Sequence, residues 1–164
     1  MNIQTDSKSG RKSWLVDSDQ APKKAPPDLA LQIMNIIEQG IIVWSADGIC
    51  ELHNTRIFDV LELSGGDIGI GTKRSDFLAL AEKRGEFAAA AQAEATAKFK
   101  SHKPFSFDHE MPSARIVNTN ARPSRGGGYV VTFTDVTEAR RVAEKLAKAI
   151  EEAALSERRA HHVL

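Results

Sequence analysis

Cysteine is almost missing from this 164-residue chain: Cys50 stands alone, which excludes an intramolecular disulfide and a cysteine-rich zinc site. Net charge is missing too. Lys+Arg and Asp+Glu number 22 each, so no overall field draws the protein onto nucleic acid or an acidic membrane surface. No apolar run approaches the roughly 20 residues that cross a bilayer, and the first residues lack the hydrophobic stretch of a secretory leader. The expectation is a cytoplasmic protein with no nucleic-acid partner and no direct membrane insertion. Catalytic motifs are lacking as well: there is no Gly-x-Ser-x-Gly elbow, no phosphate loop ending in Gly-Lys-Ser/Thr and no His-Glu-x-x-His helix. Gly65-Gly66-Asp67 lacks the acidic residue that a nucleotide-cyclase turn would carry next, and it reads as a loop. No catalytic residue and no metal ligand is assigned.

What the chain does have is enough apolar sequence, 41%, to bury one core of ordinary size. Residues 1–27 are rich in Ser, Lys, Asp and Pro and read as a disordered polar tail, with Trp14-Leu15-Val16 as a lone apolar cluster. From Asp28 the pattern changes. Leu29, Ile33, Ile36 and Ile37 recur at helical spacing, with Asp28 placed to cap the helix and Gly40 to end it. Ile41 to Trp44 and Ile49 to Leu52 flank Asp47-Gly48, a hairpin signal because Gly tolerates the positive φ of a tight turn. Short helical turns follow around Thr55 to Leu63, then a loop. A longer helical region spans Ser75 to Lys98, its stripe carried by Phe77, Leu80, Ala81, Phe87, Ala88 and Ala91, with Arg84-Gly85 as a point of interruption. Phe105 to Met111, Arg115 to Ala121 and the segment from Tyr129 read as three more strands. Five antiparallel strands with helices on one face make an α+β domain over 28–135.

The last strand is the informative one. Tyr129, Val131 and Phe133 alternate with Val130, Thr132 and Thr134, and Asp135-Val136-Thr137-Glu138 follows without a loop. That tetrad reads as a capping box, in which Asp135 accepts from the N–H of Glu138 and Glu138 reaches back to the N–H of Asp135. A force on the strand would therefore move the helix.

This junction resembles the Asp-Ile-Thr signature that closes PAS domains of bacterial sensor proteins. Upstream, Glu38-Gln39-Gly40-Ile41-Ile42-Val43-Trp44-Ser45-Ala46-Asp47-Gly48 is similar to the first strand and turn of that family. Leu52-His53-Asn54-Thr55-Arg56-Ile57-Phe58 stands in the place of its Trp-Asn-x-x-Phe segment. Ile70-Gly71-Thr72 and Ala81-Glu82-Lys83-Arg84-Gly85-Glu86-Phe87 resemble PAS modules attached to histidine kinases and cyclic-dinucleotide enzymes. The resemblance, over residues 28–141, implies a PAS fold and a sensory role in signal transduction, of the kind found in two-component systems, with Asp135, Thr137 and Glu138 as relay residues.

The resemblance leaves the cofactor unknown. Haem-holding PAS domains place a histidine on a helix over the sheet, and none lies within Ser75 to Lys98; His53, His102 and His109 fall on strand or loop. Strand alternation also sends His109 away from Asp108 and Glu110. The Asn-Cys-Arg segment of flavin light sensors is absent, and Cys50 reads as a buried structural thiol. His161-His162 lacks the acidic residue that follows a phosphoacceptor histidine and reads as a helix end.

Residues 136–164 read as a signalling and dimerisation helix. Ala139, Val142, Leu146, Ala149, Ala153, Ser156, Ala160 and Val163 alternate spacings of three and four, drawing a coiled-coil seam with Val142, Leu146, Ala149 and Ala153 at its centre. The expectation is a homodimer that relays a ligand- or partner-induced change through this helix. The alternatives are an adaptor that recruits a kinase or transcription factor, and the input part of a signalling enzyme whose output domain lies outside this chain.

Overall fold

The computed structural model describes residues 27–86 and 88–162. The tail at 1–27, with Trp14-Leu15-Val16, therefore lies outside the described residues apart from Pro27, as do Phe87, Val163 and Leu164. In chain order the elements are α1 (Pro27–Ile36), β1 (Gly40–Trp44), β2 (Cys50–His53), α2 (Arg56–Val60), α3 (Arg74–Lys83), α4 (Ala89–Lys100), β3 (Phe105–Glu110), β4 (Ile116–Pro123), β5 (Tyr129–Asp135) and α5 (Thr137–His162). The strands form one antiparallel sheet in the order β2-β1-β5-β4-β3. The hairpin and the three-strand meander thus meet at the centre, where β1 pairs with β5.

Alternation decides the faces. Ile42 and Trp44 of β1, Val117 and Ala121 of β4, and Tyr129, Val131 and Phe133 of β5 are buried on one side, beneath Ile57, Val60, Leu61, Leu78, Ala95 and Phe99 from the helical segments. Gly40 opens β1 because a side chain there would press on Ile57 at 3.0 Å. Gly128, immediately before β5, lies against the Trp44 carbonyl oxygen, with which any Cβ would overlap.

Three local expectations are corrected. The apolar stripe of α1 does not face the core: Leu29, Ile33, Ile36 and Ile37 are all exposed, up to 80% at Ile36. This helix is held instead through its end, where Asn54 Nδ2 donates to the Met34 and Gln39 carbonyls at 2.8 Å each and Asn54 Oδ1 accepts from the Ile41 N–H at 2.9 Å. Asp28 sits inside the first turn, so it acts on the helix dipole and not as the residue before the helix. The single helix expected over Ser75 to Lys98 is two. Gly85 takes a φ of +78°, and the Gly85 and Glu86 N–H groups fold back onto the Glu82 and Ala81 carbonyls at 2.9 and 3.0 Å, closing α3 with a Schellman motif. That turn also carries Glu86 inward.

Candidate functional site

At the end of β5 the backbone passes into α5 through a compact set of hydrogen bonds. Asp135 Oδ1 accepts from the Thr137 N–H at 3.0 Å and from the Thr137 hydroxyl at 2.5 Å, and Thr137 Oγ1 in turn accepts from the Ile116 N–H at 3.0 Å. The Val136 N–H donates to the Ile116 carbonyl at 2.9 Å. The reciprocal Asp135–Glu138 box expected from the sequence is therefore not the bond that forms, because the threonine hydroxyl reaches the carboxylate first and joins it to β4. These Thr137 hydrogen bonds, with Arg115 helping, hold the Asp135 carboxyl below its ordinary range.

The joint is tied further into the domain by two arginines. Arg115 stands 3.3 Å from Asp135 Oδ2, donates to the Asp59 carbonyl at 2.7 Å and lies 3.7 Å from Glu62 Oε1. Arg140, in the first turns of α5, forms an ion pair with Asp108 on the outer face of β3, and Asp108 also accepts from Asn118 at 2.6 Å. The Asn118 bond first, then Arg140, keeps the Asp108 carboxyl below its usual range.

Beneath the sheet a cavity of about 30 Å³ lies among Trp44, Phe77, Phe99, Phe133, Thr119 and His109. That is room for roughly one or two waters, so a haem or flavin would require the helices to move apart. One rim is polar. Glu86 and His109 have side chains only 5% and 7% exposed, with 3.9 Å between carboxylate and imidazole, and Glu86 meets Arg84 at 3.1 Å in an ion pair without hydrogen-bond alignment. Arg84 also donates to the Leu61 and Glu62 carbonyls at 2.9 Å each. Burial raises the Glu86 carboxyl above its ordinary value against the pull of Arg84, and burial lowers His109 to about 4. The Thr119 hydroxyl is buried at the same cavity with no hydrogen-bond partner among the described residues.

The residues weighed from the sequence are dispersed. His109 points inward while Asp108 and Glu110 stay on the other face, as alternation requires. His53 packs edge-on against Phe58 at 5.6 Å and His102 stacks over Tyr129 at 6.5 Å. Cys50 is buried, its thiol pushed up by burial. Among the described residues no cluster of three or more His, Cys, Asp or Glu could hold a metal ion. No described helix is long and apolar enough to cross a membrane. The sequence reading missed Arg115 and the Arg84–Glu86 pair; the only local signal for the pair was Gly85, which ends α3 and turns Glu86 toward the core.

The remaining candidate is α5. Its 26 residues extend roughly 39 Å at the usual helical rise, and none is buried. Val142 and Leu146 are 55% and 60% exposed. The helical period puts Ala149 and Ala153 on the same seam, Ile150 at its flank and Leu155 on the far side.

This sheet order, with helices over one face and a helix leaving the last strand, is that of the PAS fold. A family model described as PAS fold matches residues 34–144, and the chain belongs to that family. Among solved structures it is similar to the PAS domain of Bordetella pertussis BvgS, at 17% identity and a TM-score of 0.50, over 76% of this chain and 96% of that one. The PAS domain of an HTR-like protein from Haloarcula marismortui matches at 16% identity and a TM-score of 0.46, over 66% of this chain and 95% of that one. The PAS domain of the histidine kinase ThkA matches at 19% and 0.42, over 59% and 99%. No curated protein matches the chain significantly. At these identities the structural likeness carries the fold alone.

Proposed function

We propose that this PAS domain is a cytoplasmic sensory or interaction module in signal transduction, without catalysis of its own, that dimerises through α5 and relays a change in its core to that helix. The observation that carries the reading is the Asp135–Thr137–Ile116 joint, which leaves no slack between the sheet and a 26-residue helix with no buried residue. A ligand or partner that binds one arrangement of the sheet better than another shifts the population of joint angles, and with it the pairing of two α5 helices. Asp135 and Thr137 are the relay residues of this reading; Glu138 keeps the N-terminal charge favourable to the helix dipole. The output partner of this reading is either a separate signalling kinase or a catalytic domain outside this chain.

Light scattering on residues 1–164 and on a chain ending at Arg141 tests the reading. The full chain should be dimeric and the shortened one monomeric, and Leu146→Asp should act like the truncation because a charge buried in the seam costs several kcal/mol, roughly. The same number of subunits in all three proteins overturns pairing through α5. A second reading, a protein adaptor whose core takes no ligand, is favoured by the cavity of about 30 Å³. Recruitment through the outer sheet face that survives loss of α5 would support it.

A further inference from the structure

The polar rim of the cavity and the joint at α5 are connected. Glu86 meets Arg84 at 3.1 Å, and Arg84 holds the Leu61 and Glu62 carbonyls at 2.9 Å each. Glu62 presents its carboxylate to the Ser113 hydroxyl at 2.5 Å and to Arg115 at 3.7 Å. Arg115 reaches Asp135 at 3.3 Å, whose other oxygen holds Thr137. Glu62 is the pivot of this path: it is a non-glycine residue at a φ of +53°, an uncommon conformation, and its two ends are held by two different arginines.

We propose that Glu86 is a proton-sensing group whose protonation is transmitted through Arg84, Glu62 and Arg115 to Asp135, resetting the joint that launches α5. The inference rests on that joint as the output point but not on the pairing of α5. A proton suits the site because the cavity has no room for a larger visitor without repacking. It also has a route, since Glu86 and His109 line both the cavity and an open groove of about 440 Å³ between α4 and β3.

Charged groups face Glu86 from every side. Arg84 comes from the end of α3, Glu62 from the segment after α2, and His109 from β3. Arg74 of α3 lines the same cavity, while Glu94 and Lys98 of α4 stand in the groove paired to each other at 3.0 Å. Asp108 and Glu110 of β3 also border the groove. Burial raises the Glu86 carboxyl against the pull of Arg84 and lowers His109 to about 4, so burial moves proton uptake by the carboxylate up in pH and uptake by the imidazole down. A neutral Glu86 no longer holds Arg84, and the next carboxylate along the path is that of Glu62. Drawing Glu62 toward Arg84 loosens it from Arg115 and leaves Arg115 to Asp135 alone.

Side-chain carboxyl and backbone amide NMR shifts of the full chain, followed between about pH 7.5 and 4.5, test this. The Glu86 carboxyl and the Thr137 and Ile116 amides should share one midpoint above the ordinary carboxylate range; Asp135, held low, titrates below that window. Glu86→Gln should abolish the amide transition. Arg115→Gln should leave Glu86 titrating while Thr137 no longer follows, which keeps the test decisive even if Glu86→Gln fails to fold. A Glu86 midpoint in the ordinary range overturns the proposal. So does a Thr137 transition that persists in Glu86→Gln or Arg115→Gln, or one that only His109→Gln removes. The Thr137 and Ile116 amides can be followed in a monomer and in a dimer alike, so failure here is distinct from failure of α5 pairing.

Discussion

Replacing Thr137 with Val keeps the branched shape of the side chain and removes the one hydroxyl that joins β4, β5 and α5. Two interactions are lost: the 2.5 Å bond donated to Asp135 and the 3.0 Å bond accepted from the Ile116 N–H. A hydrogen bond to a charged group contributes about 1.5–3 kcal/mol when shielded and a neutral one about 0.5–1.5 kcal/mol. The Asp135 side chain is 35% exposed, so water replaces much of the first term and the sum falls to about 2 kcal/mol. With a urea dependence of about 1–3 kcal/mol per molar for a small domain, the midpoint should drop by roughly 1 M. The Asp135 bond to the Thr137 N–H survives the substitution, so α5 should keep its helical circular dichroism. Amide exchange at Ile116 should accelerate, and spin labels on α5 should report a broader range of angles to the sheet. A midpoint shift below about 0.2 M, with unchanged exchange at Ile116, would refute the assignment of the hydroxyl as the pin of the joint.

Asn54→Ala should be more costly, since it strands the buried Ile41 N–H and releases the Met34 and Gln39 carbonyls; a loss of about 2–4 kcal/mol in urea unfolding is expected, and a loss under about 1 kcal/mol would contradict it. His109 is held at about 4 against an ordinary 6.5, so its contribution, on the order of 3 kcal/mol, is complete above pH 6.5 and lost as pH falls toward 4. His109→Gln should flatten that acid limb of the stability curve, whereas Glu86, with its carboxyl raised, contributes with the opposite sign and Glu86→Gln should steepen it.

The sequence by itself determined what depends on neighbours along the chain. Period-two alternation marked β5 and put His109 opposite Asp108, and Asp47-Gly48 turned the first hairpin because only the local backbone had to adopt it. The absence of a loop between β5 and α5 was likewise legible, since the capping residues lie side by side. Gly85 could be read as an interruption but not as a full stop, because a helix end is settled by where its last carbonyls find donors. The apolar stripe of α1 was legible as a pattern and misleading as a destination: periodicity says which residues share a face, not what that face meets. Tertiary structure alone decided that Asp135 meets Arg115, that Thr137 meets Ile116, and the path from Glu86. Thr137 meets Ile116 across 21 residues, Arg84 reaches Leu61 across 23, and Arg115 reaches Asp59 across 56. A long flexible arginine or glutamate carries no sequence mark of its partner, which is chosen only when separate elements close on one another and leave each charged group the nearest opposite charge or carbonyl that water no longer supplies.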